Sequence, residues 1–258
     1  MKIIVYYNKM EIVKLIELLV SLFPFKIKEG KMGTDWSPLW ISLKTSILST
    51  IITFVIGIFV SYIMANYRGK WKGLIDGLFT LPLILPPTVV GFFLLLLCGK
   101  NGFIGKFLLN FDRTLIFSWT ATVISAVVVS FPMMYRTSRS AFEQIDNNML
   151  SAARTLGLNE WKVFFKIAVP LAWPGIIGGL VLSFARALGE FGATLMIAGN
   201  IPGKTQTMPI AIFFAVEGGD MNKAMMWVMI IVAISIAMIL LLNYWSEFQQ
   251  KIIGKRCG

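Results

Sequence analysis

The sequence predicts an all-α integral membrane protein, a bundle of five transmembrane helices with a patterned hairpin on the cytoplasmic face. Three observations carry this. Of 258 residues, 57% are hydrophobic and only 14% charged, too little charge for an ordinary soluble surface. Uncharged apolar runs recur at a length that climbs a ~30 Å hydrocarbon core at ~1.5 Å per residue. The basic residues collect in every other connection between those runs.

Uncharged runs occur at residues 45–65, 77–99, 114–135 and 224–246, and a further run at 167–185 continues past Arg186 and Glu190 to residue 203. The link after the first run carries Arg68, Lys70 and Lys72; that after the third carries Arg136, Arg139, Arg154, Lys162 and Lys166; the tail carries Lys251, Lys255 and Arg256. The alternate links hold fewer cations (Lys100, Lys106, Arg113, Lys204 and Lys223), partly offset by Asp112, Glu217 and Asp220. By the positive-inside rule the first set, including residues 136–166 and the C-terminus, is cytoplasmic, in a multi-pass protein of the cell membrane.

Residues 1–38 read as an N-terminal extension and 39–258 as the transmembrane domain. The stretch 12–25 is too short to span and contains Lys14 and Glu17, each costing up to ~3 kcal/mol near a bilayer centre. It reads as an interfacial helix. A sixth span and a translation start at Met32 are the alternatives. No cleavable signal is visible, because Lys2, Lys9, Glu11, Lys14 and Glu17 interrupt any apolar core.

Twenty-four basic residues against thirteen acidic give a formal charge of +11. Membrane orientation accounts for it, so neither nucleic acid nor an anionic substrate follows. With no histidine and only Cys98 and Cys257, a metal cage, a Ser/His or Cys/His catalytic pair and a disulfide scaffold are disfavoured. No catalytic residue, metal or cofactor is expected.

The interval 136–166 is patterned. Asp146 or Asn147 can cap a short helix with Met149, Ala153 and Leu156 on one face, ended by Gly157. Asn159 then caps a second helix with Trp161, Phe164, Phe165 and Ala168 at i, i+3, i+4 and i+7, before Pro170 and Pro174 as the chain re-enters the membrane. Its apolar face is too small to fold alone. Either it lies on its own bundle or on headgroups, or it is a docking lever for a cytoplasmic partner.

In the second span, Leu81-Pro82-Leu83-Ile84-Leu85-Pro86-Pro87-Thr88 removes backbone donors. A packing kink is one reading, and a broken helix lining a pathway is the preferred one. Arg186 and Glu190 share one helical face and either lock two helices or mark a gate with Phe191, Gly192, Ala193 and Thr194. The run from Ala198 to Thr205 imitates a phosphate loop, but it leaves a membrane helix on the outer side, where ATP binding is not expected.

Ser151, Ala152, Ala153, then Gly157, then Ile167, Ala168, Val169 and Pro170 resemble the signature of inner-membrane subunits of binding-protein-dependent ABC importers. That signature is summarised as Glu-Ala-Ala, three residues, Gly, nine residues, Ile-x-Leu-Pro. The spacing is the same here, while Ser151 replaces the usual Glu and Val169 the usual Leu. Trp36 to Leu39, Leu81 to Gly91, Cys98 to Gly105 and above all Phe184 to Pro209 resemble the molybdate permease branch, with sulfate and tungstate permeases sharing the Gly-Glu-Phe-Gly part. The resemblance covers about residues 35–245. It implies a type I importer fold, a homodimer, cytoplasmic ATP-binding cassette subunits gripping Ser151, Ala152, Ala153, Leu156, Gly157 and Pro170, and an extracytoplasmic molybdate-binding protein. It also implies an oxyanion path through the membrane; on the residue reading above, Pro86, Pro87, Thr88, Arg186, Glu190, Phe191 and Thr194 are candidates to line or gate it. The chain itself would hydrolyse nothing. An intramembrane enzyme is the rival with least to work with, since Glu190 has a cation one turn away. A carrier needing no ATPase would show an inverted repeat, which is not visible.

Overall fold

A computed structural model describes residues 35–109 and 114–254, with side chains over 35–107 and 114–240. The expected interfacial helix at 12–25 lies outside the described residues. Residues from Asp35 onward form one compact unit, and the described residues are helical throughout: α1 (Ser37–Asn66), α2 (Lys72–Ile84), α3 (Pro87–Cys98), α4 (Phe103–Leu109), α5 (Trp119–Glu143), α6 (Asn147–Thr155), α7 (Glu160–Val163), α8 (Val169–Leu188), α9 (Gly192–Ala198), α10 (Met208–Glu217) and α11 (Met221–Gly254). A π-turn, Phe164–Ala168, joins α7 to α8.

At the start of α1 the Asp35 carboxylate accepts the Ser37 N–H at 2.9 Å and its hydroxyl at 2.8 Å. These bonds, the backbone one first, hold the Asp35 carboxyl below the usual carboxylate range. Pro38 sits in the first turn, where its missing N–H costs nothing. Along α1, Ser42, Thr45, Ser46, Ser49, Thr50, Thr53 and Ser61 are buried, while Ile47, Ile51, Val55 and Ile63 are exposed. In a bilayer this sorting is expected, because lipid solvates the aliphatic side chains and small residues let helices approach. Most of the hydroxyls are satisfied locally, as in Thr53 Oγ1 to the Ser49 carbonyl at 2.9 Å, or by other helices, as in Ser61 Oγ to the Tyr135 carbonyl at 2.9 Å, Thr45 to Thr122 at 3.1 Å, and Ser42 Oγ, which accepts the Met208 N–H at 2.7 Å; Ser46 Oγ is buried without a partner.

Helix α5 is the centre of the bundle, packed between α1 and α8. By length and composition four segments can cross a membrane: Ser37–Asn66, Pro87–Phe107, Glu160–Leu188 and Met221–Leu240. The third expected span falls on α5, which is not among these four: its 25 residues include the buried Thr122, Ser125, Ser130 and Ser138. Its burial lets it be more polar than the lipid-facing helices, and it continues beyond residue 135 to Glu143.

Residues 77–99 are broken, as preferred from their prolines: α2 ends at Ile84 and α3 starts at Pro87, with Leu85 and Pro86 extended between them (ψ 142° and 136°). Another expected span needs correction. The run through 167–203 breaks after Leu188, and α9 is a separate short helix from Gly192.

Candidate functional site

The hairpin begins where Asp146 accepts the Asn148 N–H at 2.8 Å, so Asp146 rather than Asn147 is the cap. At the far end of α6, Gly157 takes φ +80°. Its N–H bonds the Arg154 carbonyl at 2.9 Å and the Leu158 N–H bonds the Ala153 carbonyl at 3.2 Å, a complete Schellman closure that a left-handed residue makes possible. Asn159 accepts the Trp161 N–H at 2.7 Å and starts α7. Arg154 then clasps Glu160 across the turn, with Nε to Oε1 at 2.7 Å and Nη2 to Oε2 at 3.3 Å. This partner holds the Glu160 carboxyl below its ordinary range and raises the Arg154 guanidinium.

The expected apolar face of Met149, Ala153 and Leu156 is rotated. Leu150 and Ala153 point inward, at 4% and 5% exposure, whereas Met149 and Leu156 stand out at 51% and 83%. The inward residues join Phe142, Val163, Phe164 and Ala168 in one core, and Phe164 stacks on Phe59 and meets Tyr62, with centroids 5.2 and 4.8 Å apart. The second arm runs on through Pro170 into the fifth apolar run. From Glu160 to Leu188 the chain is one apolar helical segment, and the π-turn at Phe164–Ala168 absorbs the donor that Pro170 lacks. The hairpin is therefore continuous with a membrane helix. Ser151, Ala152, Leu156 and Gly157 are exposed at its tip, Pro170 is exposed beside the membrane helix, and Ala153 alone of the candidate coupling residues is buried.

The interior candidates divide. Pro86, Pro87 and Thr88, at the break between α2 and α3, are exposed within the chain. Glu190 and Thr194 are buried at 2%. Glu190 Oε1 accepts the Ala193 N–H at 2.8 Å and caps α9, while Oε2 lies 2.7 Å from Arg186 Nη1. Thr194 shares a 2.8 Å hydrogen bond with Ser125 of α5, and Phe191 packs on Phe213 at 5.2 Å. The two helix breaks touch: a Cβ on Gly192 would lie 3.2 Å from Pro87 Cβ and from the Thr88 backbone nitrogen, and one on Gly91 only 2.7 Å from Ala193 Cα.

In the turn after α9 the amides of Lys204, Thr205 and Gln206 all reach the Ile201 carbonyl, at 2.9 to 3.2 Å. Those amides are what a phosphate loop would offer, and they are already used.

Sequence reasoning missed the polar network tying α2 to α5. Arg139 pairs with Asp76 and, at 2.9 Å, with Glu143; Tyr135 donates to Asp76 at 2.8 Å; Lys72 reaches Glu143 at 3.4 Å. The available signal was Asp76 itself, a lone acid after three cations. The Ser/Thr stripe of α1 was likewise readable from its three- and four-residue spacing.

Residues 55–257 match the family described as "Binding-protein-dependent transport system inner membrane component". The chain belongs to this family. It is 44% identical over 227 residues to the molybdenum transport system permease protein ModB of Escherichia coli K12, covering 87% of this chain and 97% of that one. It is 33% identical over 215 residues to the sulfate transport system permease protein CysT of the same organism, covering 83% and 78%. Among solved structures, a chain of a bacterial alginate ABC transporter superposes with a TM-score of 0.71 at 14% identity, covering 94% of this chain and 90% of that chain. This likeness concerns the fold, that of an ABC importer permease.

Proposed function

We propose that the chain is the membrane subunit of an ATP-driven importer for molybdate. Identity to the molybdenum permease exceeds that to the sulfate permease over comparable lengths, which supports molybdate as cargo. It works as a homodimer with the oxyanion path along the dimer axis, two ATP-binding cassette subunits on the cytoplasmic side, and a molybdate-binding protein on the other.

The observation that carries the coupling is the hairpin: its exposed tip at Ser151, Ala152, Leu156 and Gly157 is joined by one glycine turn to the helical segment Glu160–Leu188, whose first turns pack in the same core as Leu150 and Ala153. ATP hydrolysis takes place in the partner subunits. Their closure draws the two hairpins together and turns α8, and with it α9, which abuts α3 at the two helix breaks. Pro86, Pro87 and Thr88 line the path, while Arg186, Glu190 and Thr194 hold α9 in register and Phe191 packs beside them. Gating then arises from movement of a packed unit between two arrangements. A path that offers only neutral groups, the Thr88 hydroxyl and the backbone dipoles of the broken helix, binds its cargo weakly, as a transporter supplied by a separate capture protein requires.

Uptake of radiolabelled molybdate by the reconstituted complex tests this reading, with sulfate and tungstate as competitors. ATP-dependent uptake that a large excess of sulfate leaves unchanged is expected. Uptake of sulfate in preference to molybdate would move the chain to the sulfate permeases, the reading that the CysT identity supports, and uptake by the chain without ATPase subunits would make it a carrier.

A further inference from the structure

A groove of about 890 Å³ runs between the C-terminal end of α5, the start of α6 and the first turns of α8. One wall is a single face of α5 carrying Arg136, Ser140 and Gln144; the other is apolar, from Leu171 and Pro174. The two arginines of this helix end have different fates. Arg139 is consumed by Asp76 and Glu143. Arg136 is exposed, and among the described residues its guanidinium has no ion pair or hydrogen bond, only a longer-range attraction to Asp76. Gln144 donates one N–H to the Ser140 hydroxyl at 3.3 Å, which leaves the Ser140 O–H and the second Gln144 N–H free to donate into the groove. The Thr137 hydroxyl is spent on the Met133 carbonyl at 2.9 Å.

One cation and two neutral donors on one helix face suit a tetrahedral oxyanion. The groove is far wider than such an ion, and Asp146, also on its lining, opposes tight binding. That combination favours brief, hydrated occupancy. Because α6 and α8 form part of the walls, motion of the hairpin changes the width of the groove.

We propose that this groove is a weak exit site for a tetrahedral dianionic oxyanion, with Arg136 as its recognising cation and Ser140 and Gln144 as its donors. The inference rests on the oxyanion-import reading above. The test uses the full complex in inside-out vesicles, carrying Cys98→Ala and Cys257→Ser with Thr137→Cys as a reporter thiol, and a membrane-impermeant methanethiosulfonate reagent. Sodium molybdate should slow labelling about tenfold, corresponding to ~1.4 kcal/mol, while sodium chloride of equal ionic strength should not. Adding Arg136→Ala should reduce protection to under about twofold, and Arg136→Lys should keep most of it, with co-purified ATPase unchanged in both. Equal protection with and without Arg136, equal protection by chloride, or a reporter thiol that never reacts would overturn the proposal. Wild-type molybdate uptake is measured in the same vesicles: uptake without protection sinks the exit site alone, whereas no uptake sinks the import reading.

Discussion

In α1 the buried face is Ser42, Thr45, Ser46, Ser49, Thr50 and Thr53 and the outward face is Ile47, Ile51, Val55 and Ile63; in α6 the buried face is Leu150 and Ala153, and the outward face mixes Ser151 and Arg154 with Met149 and Leu156. The contrast shows which solvent each helix was selected for. Helix α1 puts its aliphatic side chains into lipid, where they cost nothing, and closes on α5 through small residues. Helix α6 obeys the aqueous rule inward, yet leaves Leu156 83% exposed at the turn. An apolar residue so placed on a polar hairpin is what a docked subunit would cover.

The largest effect separates the two faces of α6. Ala153→Asp buries a carboxylate among Phe142, Val163 and Phe164, at a cost of about 3–5 kcal/mol, so the protein should fail to accumulate in the membrane. Leu156→Asp, at a largely exposed site, should leave the membrane level unchanged while co-purified ATPase falls by at least about tenfold. Equal loss of protein in both variants would mean that the tip belongs to the fold and not to a partner.

Much of this contrast was legible in the sequence, and the rest was hidden for definite reasons. The caps at Asp146 and Asn159 and the stop at Gly157 depend on residues within a few positions, so local chemistry sufficed. The break at Pro86 was readable because proline deletes a donor wherever it stands. How the helix passes Pro170 was not readable, since the π-turn at Phe164–Ala168 accommodates the ring, and that depends on Phe164 being anchored by Phe59 and Tyr62 from another helix. The choice between Met149 and Leu150 as the inward residue turns on about 100° of helix rotation, which only the position of α1 and α5 decides. Glu190 was visible as a deep carboxylate, but its capping of α9 requires the chain to break at Gly189, and a membrane glycine by itself signals only close packing.

A second test addresses the contact between the two helix breaks. Gly91→Val would place its Cβ 2.7 Å from Ala193 Cα, backbone that cannot swing aside. Overpacking of this kind costs about 2–3 kcal/mol and should separate α3 from α9, lowering both thermal stability of the purified complex and uptake. Gly157→Ala meets no neighbour within 4 Å and pays only for its left-handed backbone, about 1–2 kcal/mol. Should Gly91→Val transport at the wild-type rate, α9 would not be part of a packed gate.

Glu190→Gln keeps the cap on Ala193, because the amide oxygen still accepts, but leaves Arg186 without its partner. Arg186 is about one quarter exposed, so the loss is about 1–2 kcal/mol rather than the full cost of a buried orphan charge. Uptake should fall severalfold, or the ATP hydrolysed per ion imported should rise, with the protein level little changed. Wild-type transport and coupling would reduce the pair to packing.

The smallest effect concerns the Arg154–Glu160 clasp, and its sign is fixed by the pKa shift. Glu160 is held below its ordinary 4.5, so the clasp stabilises the hairpin at any pH above that value and is lost as pH falls through the lower folded value. Between pH 6 and 8 its contribution is constant. Both side chains are substantially exposed, at 39% and 64%, and solvent screening limits an exposed pair to about 0.2–1 kcal/mol. A double-mutant cycle of Arg154→Ala and Glu160→Gln, read by protease cleavage of the hairpin, should return a coupling in that range. It should show no pH dependence near neutrality. A coupling several times larger would mean that the turn is buried against something else when the measurement is made, and repeating the cycle with and without the ATPase subunits would identify them as the cover.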